Sequence, residues 1–337
     1  MKRWVTQIVQ EMGIDAVQKA KYDVAKIATK MGYQPLSIFY YDDSGESDAG
    51  LLARIDGITA AVKTGDIVVY QYPSKWFGHR FDMTFIRRMK EKNIKVVLFI
   101  HDLDSFTGGA GTTIDEEVQA LNASDVAITH GKNMNDWLNT QGVTIPLVEK
   151  QLFDFLLPTE MNLEEIIYRK INFAGALFKS PFLQTWNGET VINAYGVRGE
   201  MIFPENVNYQ GEFSQTALIR NIAKDAFGLS WAENVGGIRH HEYQRMNNPL
   251  KVSMYLSIGL PVIVWDEAAV APVLLENHAG ITISNLDEID RKLENLTDDE
   301  IHELKKQANK MSVLVQNGYF TRTSLMEAEK IVFEQEL

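Results

Sequence analysis

The sequence predicts an α/β protein made of two doubly wound domains that face a cleft. Short apolar runs alternate with longer helical patterns along the chain. The runs are apolar at consecutive positions, as in VVLFI at 96–100, which is typical of parallel strands that are covered on both faces. The alternation occurs twice, on either side of a break at Gln151–Glu165, and the 337 residues exceed the length of one typical domain.

The first half predicts six strands with helices between them. The predicted strands are Arg3–Ile8, Leu36–Tyr41, Asp66–Tyr72, Lys95–His101, Asp125–His130 and Pro146–Leu152. The predicted helices are Asp15–Lys30, Gly50–Val62, Asp82–Lys92, Ile114–Ala120 and Asn133–Asn139. Since parallel neighbours need a crossover connection, this series predicts a parallel sheet with helices on both faces.

The second half repeats the pattern. The predicted strands are Lys170–Ala174, Val191–Tyr195, Met201–Phe203, Ala226–Trp231, Pro261–Asp266 and Ile281–Ser284. The predicted helices are Gln215–Lys224, Pro249–Ile258, Ala268–Asn277 and Asp298–Val315, followed by a last helix at about Thr321–Glu336 that no strand follows. We therefore expect a first domain over 1–154, to which a C-terminal helix over 318–337 returns, and a second domain over 155–317.

Composition narrows the class of protein. The absence of cysteine rules out disulfides and thiolate metal sites and fits a reducing interior, so we expect a cytoplasmic protein. The formal net charge of −12 argues against binding of nucleic acid, which needs a concentrated basic surface. No run of about 18 apolar residues is present, and the N-terminus lacks the apolar core of a signal peptide, so no membrane span is expected.

A helix that leads into a buried strand is predicted by the segment NNPLKVSMYLSIGLPVIVW. Pro249 suits the first turn of this helix, Asn247 or Asn248 can cap it, and Gly259 ends it. Lys251 then lies at a helix N-terminus, where a cation and free N–H groups suit an anion such as a diphosphate, and we expect Lys251 and Asn248 to take part in this ligand site. The alternative is an ordinary solvated lysine.

Other strand ends of the second domain offer polar and aromatic side chains to the same opening. Gly175 directly follows a strand and allows a ligand to approach the backbone closely, and Lys179 supplies a charge for a phosphate. Trp231 and Glu233 follow the next strand end. Tyr209 could stack on a base or ribose, or it could pack on the sheet.

In the first domain, His101 and Asp102 follow the most apolar strand, in the segment IHDLD. This pair could act as a general base or could cap the next turn. Tyr72 and Trp76 end another strand and suit contact with a sugar, although the loop could also simply cover an edge of the core. His240, His241 and Glu242 lack partners at metal-ligand spacing, and we expect no metal site.

The chain resembles the glucosyltransferase 3 family of Gram-positive bacteria. The resemblance covers almost the whole chain and rests on IHDLD, NFAGALFKSPFL, NYQGEF, AFGLSW and NNPLKVSMYLSIGLPVIVW, in this order, with GYFTR near the end. Members extend the sugar on serine-rich adhesins of the accessory secretion pathway, and related bacterial galactofuranosyltransferases share the fold. The resemblance implies the GT-B fold of two Rossmann-like domains, with the acceptor mainly at the first domain, the UDP-sugar mainly at the second, and no metal.

Family contacts to uridine and diphosphate match Lys179, Tyr209 and Lys251 in this sequence. Some members carry arginine at the first of these positions, and Lys179 keeps the charge without the bidentate fork. The two lysines would stabilise the UDP leaving group, and Asp102 or His101 would accept the proton of the acceptor hydroxyl.

The resemblance implies a glycosyltransferase that moves a hexose, glucose or alternatively GlcNAc, from a UDP-sugar to a GlcNAc-modified serine-rich protein. We also expect a homo-oligomer, either a dimer or a tetramer. The alternatives are a non-catalytic nucleotide- or sugar-binding subunit of a glycosyltransferase complex, a galactofuranosyltransferase for surface polysaccharide, and a nucleotide-sugar epimerase. A dehydrogenase is disfavoured because no G-x-G-x-x-G follows the first strand.

Overall fold

The computed structural model describes residues 1–9, 16–40, 45–74, 78–107, 111–158 and 163–335. The chain divides into two compact units. Unit 1 comprises Met1–Gln151 and Phe320–Leu337, and unit 2 comprises Leu152–Tyr319. The last helix, Tyr319–Glu334, therefore belongs to unit 1 from its second residue onward.

Unit 1 contains a six-stranded sheet in which all neighbouring strands are parallel. Its strands are β1 (Arg3–Val9), β2 (Gln34–Phe39), β3 (Ile67–Tyr72), β4 (Lys95–Ile100), β5 (Val126–Thr129) and β6 (Leu147–Glu149). Its helices are α1 (Ala16–Lys30), α2 (Asp48–Ile58), α3 (Gly78–Glu91), α4 (Asp104–Thr107), α5 (Ile114–Asn122) and α6 (Lys132–Thr140). The central strands β3 and β4 are buried along almost their whole length, as the apolar runs Ile67–Tyr70 and Val96–Ile100 within them predict.

Unit 2 contains a second six-stranded parallel sheet. Its strands are β7 (Ile171–Ala174), β8 (Ile192–Tyr195), β9 (Val207–Gly211), β10 (Phe227–Ser230), β11 (Val262–Trp265) and β12 (Gly280–Ile283). Its helices are α7 (Phe182–Thr185), α8 (Gln215–Asn221), α9 (His240–Tyr243), α10 (Leu250–Ser257), α11 (Ala271–Glu276), α12 (Ile289–Asn295) and α13 (Asp298–Gln316). The last helix, which belongs to unit 1 from Phe320 onward, is α14 (Tyr319–Glu334).

Both sheets reverse their direction of growth at one point. The strand order is β2-β1-β3-β4-β5-β6 in unit 1 and β12-β11-β10-β7-β8-β9 in unit 2. The reversals lie between β1 and β3 and between β7 and β10, and right-handed crossovers on either side of such a point place helices on opposite faces. The predicted doubly wound α/β class is confirmed. Ligands of such sheets bind outside the carboxyl ends of the strands at the reversal, which in unit 2 means the ends of β7 and β10.

One predicted strand is wrong. Met201–Phe203 lies outside the strands, and the sheet uses β9, a few residues later, as its edge strand. The residues of β9 after Val207 are polar or exposed, because an edge strand has one neighbour and needs no continuous apolar run. The short helices α4 and α9, of four residues each, were not predicted because one turn shows no helical periodicity.

The start of α10 also differs from the prediction. Pro249 is the N-cap residue, with extended backbone (φ −66°, ψ 138°), and no side chain caps the helix through it. The N-cap position is thus held by Pro249 and not by Asn247 or Asn248, and proline has no side-chain acceptor with which to cap the helix. The predicted stop is confirmed, since Gly259 follows the helix with φ +70°.

Candidate active site

The carboxyl end of β7 packs closely against the neighbouring strand end. Gly175 follows β7 with φ +151°, and Gly196 follows β8 with φ +132°, both in the region that favours glycine. A Cβ atom on Gly196 would lie 1.9 Å from the carbonyl oxygen of Gly175. Glycine at 196 is therefore required for this close approach, and Gly175 itself is exposed.

Lys251 lies directly above this turn. The side chain comes from the first turn of α10 and is half-buried, with Nζ 4.1 Å from the centroid of the Phe173 ring. A Cβ atom on Gly175 would lie 3.5 Å from Lys251 Nζ. Among the residues that the structure describes, none accepts a hydrogen bond from this ammonium group or forms an ion pair with it.

The electrostatics of this position favour an added anion. Desolvation lowers the pKa of Lys251 to about 8, because no carboxylate compensates for the water that the ammonium group has lost. A negatively charged ligand at the Gly175 turn would restore that pKa and would also meet the N-terminus of α10. A cation, an exposed glycine backbone and a helix start therefore lie together here, an arrangement that suits an anion.

The other predicted donor-site residues differ in how exposed their side chains are. Lys179 is exposed on a 3₁₀ turn, Leu177–Lys179, and its Nζ lies 5.9 Å from the Phe178 ring centroid. Tyr209 is 37% exposed on the edge strand β9, where the Arg198 guanidinium lies 4.9 Å from its ring centroid. Both side chains are accessible to a ligand.

Three further predicted residues are largely committed to internal contacts. Glu233 accepts a hydrogen bond of 2.9 Å from the Phe182 backbone N–H and so anchors the start of α7. Trp231 is 9% exposed and lies 5.3 Å from the His241 ring. Asn248 is 2% exposed, just before α10. These residues line the β10 side of the reversal point rather than projecting freely from it.

Sequence reasoning missed several side chains at the same strand ends. Arg198 follows β8 in the segment GVRGE, and a basic residue between two glycines after a strand was a usable signal. The ring centroids of His241 and Trp265 lie 4.2 Å apart. The Arg245 guanidinium lies over the same Trp265 ring, 4.9 Å from its centroid. No local pattern predicts that cluster, because its members come from α9, the segment after it and the end of β11.

In unit 1, His101 and Asp102 occupy the carboxyl end of β4, as predicted. His101 is buried, and its Nε2 lies 2.9 Å from Gln71 Oε1 at the end of β3. Asp102 is half-buried, and its charge favours the protonated form of Lys150, whose pKa burial lowers well below the usual value. Lys150 Nζ donates a hydrogen bond of 3.1 Å to the Ile100 carbonyl oxygen. Asp102 is thus the more accessible group of the predicted pair, and it lies near the buried Lys150.

The predicted acceptor residues are less informative. Tyr72 is the last residue of β3, and its side chain is 1% exposed, which leaves little ring surface for a sugar. Trp76 lies outside the described residues. Contact of either residue with an acceptor stays a prediction.

Within the described ranges, no three or more His, Cys, Asp or Glu side chains are grouped so that they could hold a metal ion. None of the helices in those ranges has the length and apolarity needed to cross a membrane.

Comparison with solved structures identifies the fold. An alpha-glucosyltransferase in complex with UDP superposes with a TM-score of 0.61, at 12% identity, over 98% of this chain and 100% of that one. The two doubly wound parallel sheets are those of the GT-B fold of glycosyltransferases.

Comparison of sequences identifies the family. The model of the N-terminal domain of glucosyltransferase 3-like proteins matches residues 2–152, and that of their C-terminal domain matches residues 171–328. Glucosyltransferase 3 of Streptococcus gordonii is 31% identical over 97% of this chain and 98% of its own. Beta-1,6-galactofuranosyltransferase WbbI of Escherichia coli (strain K12) is 25% identical over 93% of this chain and 94% of its own. The chain belongs to the glucosyltransferase 3-like family and is a glycosyltransferase.

Proposed function

We propose that this glycosyltransferase moves a hexose, with glucose as the first choice, from a UDP-sugar to a GlcNAc-modified serine-rich protein. One observation carries the donor part of the proposal: the Lys251 ammonium lies beside the Gly175 turn at the reversal point of unit 2 without an acidic partner among the described residues. The family match and the UDP complex of a structural neighbour support a uridine diphosphate as the anion for this position.

In the proposed reaction, the bond between the sugar C1 and the diphosphate oxygen breaks while the acceptor oxygen bonds to C1. UDP leaves with the bonding electrons, and Lys251 together with the N-terminus of α10 stabilises its growing negative charge. Lys179 and Tyr209 contact the nucleotide from the accessible β7 and β9 ends. We propose that these groups serve in place of a divalent metal.

The acceptor hydroxyl must lose a proton as its oxygen bonds to C1. Asp102 is our first choice for the base, because it is the more accessible of the two predicted groups. His101 is the second choice. Its buried position against Gln71 fits a role in orienting the end of β4 equally well.

A second donor deserves a direct test because of the similarity to the galactofuranosyltransferase. The experiment offers UDP-glucose, UDP-GlcNAc and UDP-galactofuranose to the protein with a serine-rich peptide that carries GlcNAc, in the presence of EDTA. We expect transfer from UDP-glucose, with UDP released in equal amount. UDP binding without any transfer would instead indicate a non-catalytic subunit, and transfer only after addition of Mg²⁺ or Mn²⁺ would contradict the proposed metal-free mechanism.

A further inference from the structure

Tyr255 lies between the two strands that flank the reversal point of unit 2. Its hydroxyl accepts a hydrogen bond of 2.9 Å from the Ala174 backbone N–H and donates one of 3.1 Å to the Asn172 carbonyl oxygen. Both bonds go to β7, and the side chain comes from α10. Burial raises the pKa of this hydroxyl above its usual value, so it keeps the proton that it donates.

These two backbone groups are the ones that a longer strand pairing would use. The pairing of β7 with β10 ends at Asn172 and Gly228, and within it the Phe227 N–H donates to the Lys170 carbonyl. In a parallel ladder the next bonding residue of β10 is Leu229, which would pair with the Asn172 carbonyl and the Ala174 N–H. The tyrosine hydroxyl takes that place, so β7 and β10 separate at their carboxyl ends while both groups of β7 stay hydrogen-bonded.

Gly228 makes room for this insertion. A Cβ atom at Gly228 would lie 2.3 Å from Cγ of Tyr255, closer than any real contact. The Tyr255 ring therefore crosses β10 at a glycine, which has no side chain to block it. Glycine at position 228 of this buried strand is thus explained by the packing of Tyr255 against it.

The same helix carries the proposed diphosphate contact. Lys251 and Tyr255 are four residues apart in α10 and so lie on the same face, one turn from each other. Tyr255 binds the residue that precedes Gly175, and Lys251 Nζ lies over Phe173 and beside Gly175. The hydroxyl thus links the helix that carries the ammonium group to the strand that leads into the Gly175 turn.

We propose that Tyr255 is a positioning residue for nucleotide binding, which holds the ends of β7 and β10 apart and aligns the Gly175 turn with Lys251 before the ligand arrives. This inference rests on the proposed function, because it assumes that a uridine diphosphate binds at that turn.

The test replaces Tyr255 with phenylalanine, which keeps the ring and removes the hydroxyl. We expect the Kd for UDP and the KM for the donor to rise about fivefold to tenfold, because a misaligned ammonium group binds the diphosphate more weakly. We expect kcat to fall as well, because the same group stabilises the leaving UDP. The matched control is Tyr195→Phe. It removes another buried hydroxyl of the same sheet, one that accepts a hydrogen bond of 3.1 Å from the Ala223 N–H, and should leave UDP affinity within twofold.

A merely structural role would lower the stability of Tyr255→Phe and leave its UDP affinity within twofold of the wild type, and that result overturns the proposal. If the variant does not fold, amide exchange of the wild-type protein decides. Slow exchange of the Ala174 N–H in the absence of UDP supports a preformed turn, and protection that arises only on UDP addition contradicts it. Failure of the wild-type protein to bind UDP at all would refute the proposed function instead, which keeps the two failures distinct.

Discussion

Lys251 keeps its positive charge in a half-buried position beside Gly175, and this position predicts the response to its loss. We expect Lys251→Met to raise the Kd for UDP by about tenfold to a hundredfold, because a charge-assisted contact of about 1.5–3 kcal/mol is removed while most of the buried side-chain volume is retained. Calorimetry with UDP measures the change. Lys170→Met is the control, because this lysine lies just before the other end of β7, paired with Asp225 at 2.7 Å. Equal effects of the two variants would contradict a specific role for Lys251.

The lowered pKa of Lys251 gives the same prediction a pH dependence. With a pKa of about 8 in the free protein, about nine-tenths of this lysine is neutral at pH 9, so UDP should bind up to about tenfold more weakly there than at pH 7. The dependence should disappear in Lys251→Met. The free energy of unfolding changes with pH in the opposite direction to UDP affinity. Because the pKa of Lys251 is lower in the folded protein than in the unfolded chain, its contribution to the free energy of unfolding increases as the pH rises from about 8 to about 10.5.

Asp102 should affect transfer more than binding. Asp102→Asn keeps the shape and removes the charge, and we expect the transfer rate to fall by about a hundredfold with the UDP affinity nearly unchanged, as for the loss of a general base. Initial-rate assays and calorimetry separate the two quantities. Asp115→Asn, in the exposed first turn of α5, is the control and should retain activity. A normal rate for Asp102→Asn would assign Asp102 to the support of Lys150 and direct the search to His101.

At the scale of single elements, the end of α10 depends on Gly259. Its backbone has φ +70°, and a Cβ atom there would lie 2.0 Å from Asn309 Oδ1 on α13. We expect Gly259→Ala to destabilise the protein by at least about 1–2 kcal/mol, the usual range for a left-handed residue with a side chain. Gly57→Ala should have the opposite sign, stabilising by about 0.5–1 kcal/mol, because Gly57 is helical and has no atom within 4 Å of the Cβ position. Denaturant unfolding of both variants tests the two signs.

At the scale of the whole molecule, the chain returns to its first unit through α14. Glu329 on this helix accepts a hydrogen bond of 3.1 Å from Arg3 Nη1 and one from the Tyr33 hydroxyl. We expect Glu329→Ala to destabilise unit 1 by about 1.5–3 kcal/mol, because two partners lose a charged acceptor in a mostly buried position. Glu327→Ala is the control on the same helix: its pair with Lys330 spans 3.6 Å at the surface and should contribute less than about 0.5 kcal/mol.

The two variants also separate stability from function. UDP affinity should be unchanged in both, since the proposed nucleotide contacts all lie in unit 2. Chemical unfolding and calorimetry on the same samples provide the comparison. Loss of UDP binding in Glu329→Ala under conditions where the protein stays folded would contradict this assignment of the donor site.

The sequence by itself determined the α/β class, most of the strands and the places where a ligand site could form. Strands buried in the middle of a parallel sheet are apolar on both faces, so β3, β4 and β11 are visible as continuous runs. Gly175 and Lys251 were identified because a glycine after a strand and a lysine at a helix start are local features. The resemblance added the family, which the comparisons confirm.

Only the tertiary structure decided which of these local features meet. The order of strands in each sheet, the edge position of β9 and the pairing of Arg3 with Glu329 join residues that are far apart in the chain, and no local period encodes them. The hydrogen bonds of Tyr255 to β7 join residues 81 and 83 positions apart. In the sequence this tyrosine is one apolar position of a helix, and its hydroxyl acquires a role only where β7 and β10 separate, because the backbone groups left there need a partner.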